Sequence, residues 1–233
     1  MLILALDSTA TVATAAVCDN ETILAAKTVS CGLKHSETLL PLIETLLGIA
    51  GKKVSDVDLF ACTVGPGSFT GVRIGAATIK GLAFGGKKCV GVSTLEALAY
   101  NLRGQEGIVS PVMDARRGQL YNALFRWEND TLVRLTPDRV IMIDDFAKEL
   151  AEAKENVYLC GDGYALVKET LSLTNICETP QDQIYQNAVS VAQLALREYQ
   201  KGKYVNDAEL RPTYLRAPQA ERERNERLKL ENA

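Results

Sequence analysis

The chain spells one order of elements twice, and that repeat limits the fold more than any composition figure does. Residues 2–6 form an apolar run ending in Asp7, followed by the polar stretch Ser8-Thr9-Ala10-Thr11. A second apolar stretch covers 12–18, Asp19-Asn20 mark a turn, and a third strand-like run covers 22–29. Later, residues 108–113 form an apolar run ending in Asp114, followed by Ala115-Arg116-Arg117-Gly118. A run over 119–127, a turn at Glu128-Asn129-Asp130 and a run over 132–142 complete it. Each passage predicts a three-stranded meander with turn residues where the turns belong.

The elements after each meander also match. The first leads to a helix over about 36–50, a strand over 58–64, a glycine-rich loop and a helix over 68–84. The second leads to a helix over 144–154, a strand over 156–160, the turn Gly161-Asp162-Gly163 and a helix over 164–171. Both halves therefore read β-β-β-α-β-α, which predicts a duplicated α/β fold. Between them lie a strand over 89–92 and a helix to about Leu102, opened by a capping box from Ser93 and Glu96. Residues 104–107 read as the hinge between lobes 1–106 and 107–233. A helix over 187–200 carries Val191, Leu194 and Ala195 on one face and has the option of returning to the first lobe.

Composition narrows the function. The 233 residues hold 26 basic and 29 acidic side chains, a net charge of −3. That excludes a broad basic face gripping nucleic acid unaided, which usually goes with a pI above about 9. His35 is the one histidine, so no two- or three-histidine metal site is available. The six cysteines form no CxxC pair and mostly sit in apolar runs, which reads as small buried hydrophobes in a reducing compartment. The start has no basic segment ahead of its apolar run, and no apolar run approaches the ~18 residues of a membrane span. A cytoplasmic protein is expected, with no membrane contact.

Several segments could carry chemistry. Asp7, Ser8 and Thr9 at a strand end could orient a metal-bound water or face a phosphate, although Asp-Ser-Thr is also ordinary turn chemistry. Gly67 and Ser68, in Gly65-Pro66-Gly67-Ser68-Phe69-Thr70-Gly71, open a helix whose amides could hold an anion, and Asp114, at the matching turn of the second lobe, is with Asp7 a candidate for a nucleotide site. The spacing is neither the dinucleotide fingerprint nor a P-loop. Close backbone packing explains most of the glycines that continue to Gly85. The helix over 36–50 is apolar around about half its circumference, wider than the ~100° stripe one core needs. Leu39, Leu40, Leu42, Ile43, Leu46 and Leu47 are therefore expected to meet a partner or a second copy of the chain. His35 precedes Leu39 at i+4, so it has a surface or capping role rather than a metal. The tail from Gln219 alternates acids and bases and reads as a solvated end.

Taken together, these segments resemble a known family. They are Leu4-Ala5-Leu6-Asp7-Ser8-Thr9, Lys34-His35-Ser36-Glu37, the block from Val64 to Gly75, Pro111-Val112-Met113-Asp114-Ala115-Arg116-Arg117 and Arg211-Pro212-Thr213-Tyr214-Leu215-Arg216. The family is TsaB, also called YeaZ, of bacterial tRNA modification. The resemblance implies an actin-like ATPase fold with two ribonuclease-H-like lobes. It implies a non-catalytic scaffold that supports TsaD as that protein transfers threonylcarbamoyl from its adenylate to N6 of the adenosine beside the anticodon. TsaD and TsaE would be partners, with a homodimer in their absence and tRNA reached indirectly. No cofactor is expected on this chain alone; ATP and metal would belong to the partner subunits. Two arginines after Asp114, where an actin-like ATPase wants small residues near phosphate, fit that division. The alternative is an autonomous actin-like small-molecule kinase or ATPase, or a metal-dependent peptidase.

Overall fold

A computed structural model describes residues 1–30, 34–171 and 173–216. Cys31 and the charged tail beyond 216 lie outside the described residues.

The first sheet is built around β1 (Leu2–Asp7). It pairs antiparallel with β2 (Ala13–Asp19), which pairs with β3 (Thr22–Val29). On its other side β1 runs parallel to β4 (Leu59–Thr63), and β4 to β5 (Lys88–Val92). Helices cover both faces. Leu2, Leu4 and Leu6 meet α1 (His35–Ile49) and α2 (Phe69–Leu82), whereas Ile3 and Ala5 meet α7 (Ala188–Gln200). Burial on both sides is why β1 reads as an unbroken apolar run. The two-residue β13 (Val205–Asn206) joins the edge beside β5.

The second sheet is built around β6 (Ile108–Arg116). Its outer half pairs with β7 (Gln119–Asn122), which pairs with β10 (Arg139–Met142). Its inner end, Ile108 and Val109, pairs with β8 (Phe125–Glu128), which pairs with β9 (Thr131–Arg134). The two runs expected as single strands over 119–127 and 132–142 are thus each cut in two. At the first break the Leu124 amide donates to the Thr136 hydroxyl instead of a ladder partner. At the second, Pro137 has no N–H to give. On the parallel side lie β11 (Val157–Cys160) and β12 (Ile176–Cys177).

Each half of the chain lends a helix to the other half's sheet. One face of the second sheet is covered by Phe146 and Leu150 of α4 (Ile143–Glu152) and Val167 of α5 (Tyr164–Thr170). The other is covered by Leu95 and Leu98 of α3 (Thr94–Tyr100), which precedes the hinge in sequence. In return α7, from after the hinge, covers the first sheet. Polar bonds fix the exchange. Asn101 donates to the carbonyls of Gln183 and Tyr185, flanking the end of α6 (Gln181–Ile184), and accepts from the Ser190 hydroxyl at 2.7 Å. Half of the expected capping box forms: the Glu96 amide donates to Ser93 Oγ, but the Glu96 carboxylate pairs with Arg134. Two sheets joined in this way give the two-lobed, actin-like α/β arrangement.

Candidate functional site at the interlobe cleft

Both central strands end at one cleft. A cavity of about 610 Å³ is lined by Thr9, Gly67, Ser68 and Phe69 from the first lobe and by Met113, Asp114, Arg116, Tyr121 and Asp162 from the second. Residues 213–216 cross it as a strap. The Thr213 amide donates to Val64 O, the Tyr214 ring lies 4.9 Å from that of Phe69, and Arg216 donates to Ala115 O across the cleft.

The residues expected to form an anion or nucleotide site are brought together, but most of their polar groups serve the fold. Thr9, Gly67, Ser68 and Asp114 line the cavity, while Asp7 and Ser8 are fully buried. Asp7 Oδ1 accepts from both the amide and the hydroxyl of Thr9, at 2.7 Å each. Asp7 Oδ2 and the Thr63 hydroxyl are buried without a well-formed hydrogen bond. Burial pushes the Asp7 carboxyl up to about 6; the Thr9 bonds, the Thr63 hydroxyl and the charge of His35 pull the other way. Ser8 donates to Gly71 O at 2.9 Å. The Ser68 amide donates to Thr9 O, and its hydroxyl caps α2 by accepting from Gly71 N.

The glycine block is explained by contact. A Cβ on Gly71 would stand 2.0 Å from Ser8 O, on Gly67 2.6 Å from Thr9 O and on Gly75 2.7 Å from Ser8 Oγ. Gly81 has nothing within 4 Å.

Asp114 is tied locally. Its Oδ1 accepts from the Arg116 amide at 2.7 Å and its Oδ2 pairs with the Arg116 guanidinium at 3.0 Å. Arg116 and Arg117 both hold left-handed backbone, with φ of 66° and 58°. The reading of the sequence missed Asp162, whose carboxyl burial pushes up to about 6, helped by the negative charges of Asp114 and Asp7. Its signal was position: the turn after β11 corresponds to the glycine loop after β4. It also missed that Tyr214 and Arg216 close the cleft.

The expected partner helix needs correction. Leu39, Leu42, Ile43, Leu46 and Leu47 are buried in the chain's own core against the first sheet and α2. Their wide arc is filled by two neighbours of the same fold. Of the six, Leu40 stays 53 % exposed, and Ile49 is 68 % exposed. Leu40 lines an apolar groove of about 420 Å³ with Gly48, Val54 and Leu82. His35 does not cap α1: Lys34 holds that position, and His35 Nε2 donates to Ala10 O at 2.7 Å, tying α1 to the cleft turn. Among the described residues no group of three or more His, Cys, Asp or Glu stands placed to hold a metal. The five described cysteines are free, four of them buried.

Known proteins agree with this architecture. The family model described as "TsaD: tRNA N6-adenosine threonylcarbamoyltransferase" matches residues 30–223. The tRNA threonylcarbamoyladenosine biosynthesis protein TsaB of Bacillus subtilis is 34 % identical over 172 residues, 73 % of this chain and 75 % of that protein. TsaB of Escherichia coli is 27 % identical over 220 residues, 93 % and 95 % of the two chains. A crystal structure of a Pseudomonas aeruginosa protein "with similarity to peptidase YEAZ" superposes with a TM-score of 0.79 at 27 % identity, covering 92 % and 99 %. The chain belongs to the family of the TsaD model and, within it, to the TsaB (YeaZ) proteins of tRNA threonylcarbamoyladenosine biosynthesis.

Proposed function

We propose that this protein is the non-catalytic TsaB subunit of a bacterial complex that forms threonylcarbamoyladenosine on tRNA, in the cytoplasm, supporting transfer by TsaD with TsaE as a further partner. The carrying observation is the chain's relation to TsaB proteins over most of its length. The cleft supports a scaffold over an enzyme. The Thr9 amide at the first-lobe turn is spent on Asp7, and the second-lobe turn sets the Arg116 guanidinium against Asp114. These groups are already paired and do not fit a nucleoside triphosphate and its cation. Calorimetry with ATP and Mg²⁺ on the isolated protein is expected to give no heat; micromolar binding would favour an autonomous ATPase or kinase. Elemental analysis that found a stoichiometric metal would favour a peptidase.

Reconstitution tests the main reading. Threonylcarbamoyl-adenylate, unmodified tRNA, TsaD and TsaE are combined with and without this protein, and the modified adenosine is counted by mass spectrometry. The expected result is strong dependence on this protein and no product from it alone. Equal yield without it would sink the proposal.

The partner face, for TsaD and for a homodimer alike, is proposed to be the outer stripe of α1 with the neighbouring end of α2. Leu40, Ile49 and Leu82 leave apolar surface there, and Phe84 is 83 % exposed just past α2. Leu40→Glu with Ile49→Glu is expected to abolish TsaD capture in size-exclusion chromatography while Tm stays within about 2 °C, as surface changes do. Leu42→Glu with Leu46→Glu is expected to unfold the protein, because both positions are core. Undiminished capture by the first variant would overturn the assignment.

A further inference from the structure

The strap that crosses the cleft is fastened along its whole length. Asp207 accepts from the Gly86 amide, just past α2. Lys80 of α2 donates to the carbonyls of Ala208 and Leu210, and the Leu210 side chain is buried in the core that α1 and α2 share with the first sheet. Further on, the Thr213 amide donates to Val64 O at 2.7 Å. The strap passes so close to Gly65 that a Cβ there would collide with Thr213 O. Arg73 donates to the Tyr214 hydroxyl at 2.9 Å and lies 3.8 Å over the Phe69 ring, which holds Tyr214 against α2. Residues 207–214 therefore run along α2 from its last turn to its first. Arg216 then reaches the other lobe, where its guanidinium donates to Ala115 O of β6 at 2.8 Å.

The lobes are also held away from the cavity, where α3 packs on α7. Ala97 and Tyr100 share a core cluster with Val191 and Leu194, and Asn101 accepts from Ser190. Two lobes joined by such a contact can open and close about it as a hinge. Closing is opposed here. Met113 of the second lobe lies against Gly67 of the first, where a Cβ would stand 3.2 Å from Met113 Cε. Opening is opposed by the strap, rooted in the first lobe and held at the second by a charge-assisted bond. Arg216 lines the cavity, and α3 and α7 do not, so a lobe rotation about the α3–α7 contact has to stretch that bond.

We propose that residues 207–216 are a clasp that holds the two lobes at one opening, with Arg216 as its latch, so that the cleft of about 610 Å³ is a fixed cavity rather than a hinge. The latch acts within the single chain and holds whichever role the cleft plays in tRNA modification. Through the strap, α2 is tied to the second lobe, and the Leu82 end of α2 lines the groove assigned to the partner.

The test reads one distance between the lobes of the full chain. Spin labels are placed at Lys27→Cys on β3 and Lys148→Cys on α4, both exposed positions, with Cys31 and Cys177 replaced by serine. The labelled chain is diluted into unlabelled protein, so that pulsed electron double resonance reports distances within one molecule. The wild type is expected to give a single narrow distance, with open molecules at about 1–5 %. Arg216→Ala removes a hydrogen bond from a charged donor, worth about ten- to a hundredfold in an equilibrium. The open population should rise about tenfold or more and appear as a second, longer distance, while Tm stays within about 2 °C. If that variant melts lower, Arg216→Gln, which keeps bulk but loses the reach to Ala115, carries the same expectation. Arg211→Ala should leave the distance unchanged, because Arg211 donates to the strap's own carbonyls of Ala208 and Leu210. A single unchanged distance in the Arg216 variants would overturn the latch, as would a wild type that already shows two distances. Equal broadening by Arg211→Ala would assign the effect to general loosening of the strap and overturn it too.

Discussion

Gly71→Ala is expected to lower Tm by about 6–12 °C, whereas Gly81→Ala on the same helix should raise it slightly. The two positions differ in what a methyl group meets. At Gly71 it would stand 2.0 Å from Ser8 O, a backbone atom of the β1–β2 turn that cannot step aside. Helix α2 would have to lift off the first sheet by more than an ångström. Lifting it stretches the Ser8 Oγ to Gly71 O bond and opens the contacts of Val72, Ala76 and Ile79. Overpacking of this kind costs ~1–3 kcal/mol and the lost hydrogen bond about 1. The alanine's better helix propensity returns up to ~1. The terms sum to a net loss of ~1–3 kcal/mol, and a 2.0 Å contact with backbone sets it at the upper end, about 3, which gives the stated shift for a chain of this size. Gly81 is exposed with open space around it, so only the propensity gain remains there. Differential scanning calorimetry of the two variants settles the comparison. Equal Tm values would mean that the glycines of this helix do not seat it on the turn.

The same contrast marks what the sequence could disclose. The apolar run before Asp7 needed no knowledge of its neighbours, because a strand covered on both faces is apolar throughout. The second meander was legible as to order but not continuity. The breaks at Ala123-Leu124 and Pro137 depend on a hydroxyl from residue 136 reaching residue 124, and no local periodicity announces that. The α1 arc misled for a physical reason: the hydrophobic pattern counts neighbours without naming them. Five leucine and isoleucine side chains met the first sheet and α2, and Leu40 alone of the expected six was left outside. The return of α7 to the first sheet was open to a reading of the chain, but the crossing of α3 to the second sheet was invisible, because that helix looks like an ordinary amphipathic segment of its own half. Asp7 and Asp114 were legible as strand ends, but not the partners that differ so sharply between them. The Thr9 amide and hydroxyl hold one, and the adjacent arginine holds the other.

Asp7→Asn is expected to stabilise the protein above neutrality and to remove its own share of the pH dependence between about 4 and 6, leaving that of Asp162 in place. Asp7 is completely buried, and burial lifts its carboxyl from the ordinary 3.8 to about 6. Its folded-state pKa is raised, so the folded protein keeps a proton that the unfolded chain gives up. Stability is then highest below pH 4 for this group and falls as pH rises through 6. Above that, the buried carboxylate costs on the order of 3 kcal/mol relative to its protonated form. Asparagine keeps an Oδ1 that accepts from the Thr9 amide and hydroxyl, carries no charge, and offers Nδ2 to the Thr63 oxygen, which lacks a well-formed bond. The variant should therefore melt several degrees above the wild type at pH 8, with the gap closing toward pH 4. Parallel melting curves across that range would sink the account. The same variant separates scaffold from enzyme. With TsaD and TsaE present, a scaffold should support turnover unchanged when Asp7 becomes asparagine, since nothing reacts at its cleft. A tenfold or greater loss of turnover, in a variant that melts higher than the wild type, would return the chemistry to Asp7 and remove the scaffold reading with it.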